Sequence, residues 1–153
     1  MHSDLEIKAA STMDVDMLML EIRSRDAGDL QRIYSRPAAD ALHSMVADSQ
    51  AWVVYWRGQA AAIFGVTSAS ILTPDGMPWL VGSKIVDQKP RLFLRTCREL
   101  VGEMDKLGYT RLENFTHQDN VVSHRWLRWL GFTIGDRLEG TPYLRFWKDL
   151  PDA

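Results

Sequence analysis

One cysteine, Cys97, stands in a chain of 153 residues, so no disulfide can close within it. A zinc site built mainly on thiolates is excluded for the same reason, and a reducing, cytoplasmic setting is expected. No apolar run approaches the ~20 residues that a membrane-spanning helix needs. Residues 1–6 show no basic stretch followed by an apolar one, so no secretory signal is expected. Charge of one sign is not in excess either: 18 Lys and Arg face 20 Asp and Glu, a net of −2. A chain without a basic field has no general drive toward nucleic acid, and no nucleic-acid partner is expected. The four histidines, at 2, 43, 117 and 124, lack the spacing of a metal motif, so no metal is expected. Repeats, low-complexity tracts and linkers are missing too. One domain over residues 1–153 is the expectation.

Six tryptophans are present, a high number for one small domain. Tryptophan serves both cores and surfaces that bury a partner. Lys89, Arg91, Arg95 and Arg98 form a local basic cluster despite the balanced total.

Alternation over residues 5–9 predicts a strand, and Ser11 or Thr12 caps a helix with Asp14 and Asp16 in its first turn. Residues 19–23 read as a short extended piece, Ser24 as the cap of a helix through Tyr34, and residues 38–47 as a helix following Pro37. Aromatic and branched residues flank Arg57-Gly58, which predicts a hairpin of residues 51–56 and 59–67. Thr73-Pro74-Asp75-Gly76 reads as a turn, with an apolar strand over 79–83 after it. Pro90 opens a helix whose inner stripe is Phe93, Cys97, Leu100, Val101, Met104 and Leu107, and Gly108 stops it. Residues 112–116 form a strand, 120–130 a last helix, and 132–134 and 143–147 closing strands. This order describes a mixed α/β (α+β) sandwich with helices against a central sheet.

The run NVVSHRWLRWLGF at 120–132 is the most specific stretch. Asn120 opens an amphipathic helix, and Gly131 ends it at a position where a Cβ would clash. With GMPWLVGS at 76–83, PRLFLR at 90–95 and the pair Leu112 and Asn114, it resembles the GNAT acetyltransferase superfamily. Within it, the set is similar to the small GNAT-like proteins of tailed phages and prophages, the internal virion or morphogenesis type. The likeness is good over the last hundred residues and loose over the first fifty.

The resemblance implies a twisted mixed sheet, helices on both faces, and two neighbouring parallel strands, over 79–85 and 112–116, that splay apart. Acetyl-CoA lies in that opening in active members, its pyrophosphate on a glycine-rich helix start. Here the corresponding residues 86–93 contain no glycine, Pro90 removes a donor, and Asp87 adds a negative charge. Gln88, Lys89 and Arg91 are the side-chain substitutes for that cradle. Ser83, Asn114, Asn120 and Ser123 are the remaining candidate cofactor contacts, although Asn120 equally serves as a helix cap and Ser83 as a strand end. The alignment on Asn120 and Gly131 puts Leu127 where many members carry a general-acid tyrosine. Glu113, His117 and Asp119 are the titratable candidates for a base.

Two functions are therefore carried forward. One is an acetyl-CoA-dependent N-acyltransferase with a degenerate pyrophosphate loop. The other is a catalytically inactive GNAT-like protein that binds virion or host proteins during phage assembly.

Overall fold

The computed structural model describes residues 4–150. Its elements are β1 (Leu5–Ala9), α1 (Thr12–Met19), α2 (Ser24–Tyr34), α3 (Ala38–Asp48), β2 (Gln50–Trp56), β3 (Gln59–Ser68), β4 (Asp75–Gly82), α4 (Lys84–Gln88), α5 (Pro90–Lys106), β5 (Arg111–His117), α6 (Val121–Trp129), β6 (Thr133–Arg137) and β7 (Tyr143–Asp149). The seven strands make one mixed sheet in the order β1-β2-β3-β4-β5-β7-β6. The described residues fall into two compact units, 4–67 with 79–90, and 68–78 with 91–150.

In the first unit β1, β2 and β3 pair antiparallel. The β2–β3 hairpin turns at Arg57 and Gly58, with φ of 48° and 79°. Two successive positive φ values match the right-handed twist of the strands, which is why this dipeptide closes so short a loop. The core joins Val15, Leu18, Leu30 and Leu42 of the helices to Val53, Ile63 and Val81 of the strands. Met45 and Val46 pack against it half-buried. Gly65 makes room for a tryptophan: a Cβ there would lie 2.2 Å from the Trp79 ring. Trp79 in turn donates its Nε1–H to Ser49 Oγ at 3.1 Å.

Several expectations for this half change. Residues 19–23 are not an extended piece: α1 runs to Met19, and Ile22 alone bridges to Ser83. Asp16 lies beyond the first turn of α1, and Asp14 is the acid of that turn. Ser24 is the first helical residue of α2 and Arg23 its cap. The apolar run after Trp79 ends as a strand at Gly82, because Ser83 caps a separate short helix.

In the second unit α5 buries Phe93, Thr96, Cys97, Leu100 and Met104. Val101 is half-buried, whereas Leu107 is 47% exposed, since the helix has ended at Lys106 before that stripe returns inward. β5 pairs antiparallel with β7 along its whole length, and β6 pairs with β7. Phe132 and Phe146 meet edge to face at 5.3 Å.

Asp75 and Gly76 are not a turn but the first residues of β4. They pair in parallel with Arg111 and Leu112, and the β4–β5 register comprises those two pairs. Beyond them the Asn114 side-chain amide reaches the Pro78 carbonyl at 2.8 Å.

Candidate functional site

Ser83, Gln88 and Lys89 lie in the first unit, at the corner from β4 into α4 and on to the end of that helix. The backbone donors of the corner are consumed internally. Gly82 N–H bonds Asp26 Oδ2 at 2.6 Å. Ser83 N–H bonds the Ala61 carbonyl at 2.8 Å, and Lys84 N–H the Glu21 carbonyl at 3.1 Å. Ile85 N–H bonds Ser83 Oγ at 3.2 Å, and Val86 N–H the Ser83 carbonyl at 3.1 Å. Five successive amides are thus occupied. An amide cradle for an anion needs such groups unpaired, and this corner offers none of the five.

Arg23 holds the corner in place. It donates to Asp26 from Nε at 3.2 Å and Nη2 at 2.9 Å, and pairs with Asp87 at 3.0 Å. Burial pushes the Asp26 carboxyl above its ordinary value despite the pull of Arg23 and the Gly82 amide. Asp87 shares the single Arg23 charge with Asp26, so part of its charge is offset there rather than left to the neighbouring lysine. Ser83 is fully buried, with its hydroxyl engaged as a cap. Gln88 and Lys89 are exposed, and Lys89 Nζ stands 5.8 Å from the Trp56 ring centre.

The remaining candidates belong to the second unit. Arg91 is exposed in the first turn of α5. Glu113 accepts from Arg145 at 2.6 Å and lies 3.5 Å from Arg111. The Arg145 bond, with both guanidinium charges, holds its carboxyl below the usual range, which suits an ion pair better than a proton acceptor. His117 accepts the Asp119 N–H on Nδ1 at 3.1 Å, so a neutral ring carries its proton on Nε2. The ring also meets Tyr143 edge-on at 5.7 Å. Asp119 is largely exposed, its carboxylate 3.8 Å from the same Nδ1.

Asn114 is held at both ends, since its Oδ1 accepts the Phe115 N–H at 2.8 Å. Asn120 caps α6 by accepting the Ser123 N–H at 3.3 Å, and its own N–H bonds the His117 carbonyl at 3.0 Å. The structure thus brings His117, Asp119, Asn120 and Ser123 together at the β5–α6 corner, with Glu113 and Asn114 earlier on the strand.

His124 is the residue of this corner that sequence reasoning missed. It is the buried side chain of α6, and its Nε2 donates to the His117 carbonyl at 3.0 Å. Its position four residues after the Asn120 cap, on the inward face, was the available signal. Leu127 is half-buried and has no proton to give. Among the described residues no group of three or more His, Cys, Asp or Glu could hold a metal ion, and no helix is long and apolar enough to cross a membrane.

Comparison with solved structures places this architecture. An IAA acetyltransferase from Bacillus cereus matches with a TM-score of 0.68 at 13% identity, covering 95% of this chain and 99% of that one. The PaiA N-acetyltransferase of Thermoplasma acidophilum, in complex with coenzyme A, matches at 0.68 and 14%, covering 95% and 98%. RimL, a ribosomal L7/L12 α-N-protein acetyltransferase in complex with coenzyme A, matches at 0.69 and 14%, covering 97% and 95%. No protein-family model matches the chain, and no curated protein does. The fold is that of the GNAT acetyltransferases.

Proposed function

We propose that this chain is an acetyl-CoA-dependent N-acyltransferase of the small phage and prophage type, with a degenerate pyrophosphate loop. The observation that carries the reading is the two-residue parallel pairing of β4 with β5. In this reading an extended ligand such as pantetheine takes the place of the strand pairing that stops after those two pairs. That two of the similar structures hold coenzyme A supports the same reading.

The fit to the cofactor is through side chains. With the β4–α4 amides spent, Gln88, Lys89 and Arg91 are the exposed groups suited to the phosphates, two of them cationic. Asn114, Asn120 and Ser123 flank the acyl end in this reading, and Ser83 acts by shaping the corner. When bound, the cofactor supplies an activated thioester. The chain's own contribution is then orientation of the amine, with a proton passing to water or to the His117–Asp119 corner, because Glu113 is tied up by arginines and Leu127 is inert.

Thermal unfolding with acetyl-CoA tests this. Ligand at a hundredfold excess over its dissociation constant stabilises by ~2.7 kcal/mol, a clear rise in Tm. The rise should shrink in a Lys89→Ala, Arg91→Ala variant. No shift at millimolar acetyl-CoA removes the proposal.

A second reading is favoured by the lack of glycine at 86–93 and by Leu127: a catalytically inactive protein that binds virion or host proteins in the infected cell. Copurification with virion proteins, coupled with an unchanged Tm in acetyl-CoA, would select it.

A further inference from the structure

Arg91, Arg95 and Arg98 recur at i, i+4 and i+7 on α5, opposite the face that buries Phe93, Cys97, Leu100 and Met104. They rise along ~10 Å of helix, where like charges at these spacings repel, and exposed Glu99, four residues after Arg95, offsets part of that repulsion. Arg91 and Arg95 have no hydrogen-bond or ion-pair partner among the described residues. Arg98 instead stacks on Trp129 of α6, its guanidinium carbon 3.7 Å from the ring centre, and Trp129 is 43% exposed.

Two surface hollows adjoin at that tryptophan. One, of about 290 Å³, lies between it and Arg91, Leu94 and Arg95. The other, of about 430 Å³, runs past Arg98 and is lined with Val101, Leu130 and Leu150, with Asp105 and Lys148 at its sides. Gly102 borders it without filling it, since a Cβ there would meet nothing within 4 Å.

We infer that this face of the second unit docks an acidic amphipathic helix of a protein partner. Carboxylates of the partner meet Arg95 and Arg98, and an apolar side chain enters the larger hollow beside Trp129. Charge complementarity sets the sign of the partner, and the apolar walls set its second requirement. Nucleic acid fits less well. One face of the indole is already covered by Arg98, the hollow carries Asp105, and the chain as a whole has a net charge of −2. The surface is separate from the cofactor contacts proposed above, apart from Arg91 at the end of the row.

Fluorescence anisotropy tests the inference with three labelled probes, each measured without coenzyme A and again with it in excess. These are a short helical peptide with glutamates at i, i+4 and i+7 beside a leucine stripe, the same peptide with glutamines, and a thymidine oligonucleotide. The glutamate peptide is expected to bind, and the glutamine peptide to bind about tenfold more weakly. Arg95→Glu with Arg98→Glu should weaken the acidic peptide by a similar factor while leaving the acetyl-CoA Tm shift unchanged. Gly102→Glu, which adds an acid on open surface, should do the same without touching the Trp129 stack. Undiminished binding by these variants, equal binding of the glutamine peptide, preference for the oligonucleotide, or displacement by coenzyme A each overturns it. No binding of the acidic peptide to the wild-type chain does so as well.

Discussion

Asp14 shows how one carboxylate can serve a helix and a sheet at once. It accepts the Ser11 N–H at 2.8 Å and the Ser11 hydroxyl at 2.9 Å, and takes the Tyr55 hydroxyl at 2.5 Å. Burial alone would raise its pKa, but the bonds from Tyr55 and Ser11 outweigh that and hold the carboxyl below its ordinary 3.8. Burial and the same bond push Tyr55 the other way, from 10.0 to about 12. A depressed carboxyl contributes stability that is present above its unfolded pKa and lost as pH falls through the folded one. A raised phenol contributes stability that is present below its unfolded pKa and lost as pH rises through about 12. Tyr55→Phe should therefore cost about 1–2 kcal/mol near neutral pH. Urea midpoints measured across pH should show shallower losses for the variant on both the acid and the alkaline side. A pH profile parallel to wild type would refute the coupling.

At the scale of elements, two glycines are held by their neighbours. Gly65→Ala on β3 drives a methyl into the Trp79 ring, which cannot swing away because its Nε1 is bonded to Ser49. A loss of about 1–3 kcal/mol in urea unfolding is expected, partly recovered by Trp79→Phe. Gly131 ends α6 with φ of +95°. A Cβ there would come within 2.5 Å of Lys148 Nζ, which donates to the Leu130 carbonyl at 3.1 Å. Lysine tips move cheaply, so Gly131→Ala should cost about 1 kcal/mol, mostly backbone strain. In a Lys148→Ala background the cost should stay nearly the same, and a cost that vanishes there would show that collision, not φ, dominates.

At the scale of the whole molecule, the fold supplies a framework whose chemistry depends on a few side chains. If the proposed acyl transfer is slow for want of a proton donor at position 127, Leu127→Tyr should raise kcat by roughly tenfold to a hundredfold with little change in KM, since general acids contribute ~10²–10⁴ in favourable sites. Steady-state acetyl transfer to polyamine and peptide amines would measure it. An unchanged or lower kcat would argue that proton delivery is not the deficit. The elements themselves were largely legible. Arg57-Gly58 announced the hairpin, and the stripe from Phe93 to Met104 announced α5, because both signals act within a few residues. The corner at Gly82 was not legible, since Asp26 reaches it from 56 residues away and nothing local marks that pairing. Asp75-Gly76 read as a turn for the opposite reason: the local preference was real, and pairing with Arg111 and Leu112 overrode it.

Periodicity, capping and turn chemistry are short-range, so the order of residues alone indicated a helix ending at Tyr34, one opening at Pro90, the Asn120 cap and the stop at Gly131, while the start at Ser24 and the end at Lys106 were set by the fold. It also settled that residues 86–93 contain no glycine and that one cysteine cannot close a disulfide within the chain. Which groups are left to act was a matter for the folded chain alone. Whether Glu113 stands as a base or an ion-pair partner, and whether the amides after β4 are open or spent, depends on side chains and carbonyls brought in from distant strands. Such encounters follow from how the chain packs, and no window of neighbouring residues contains them.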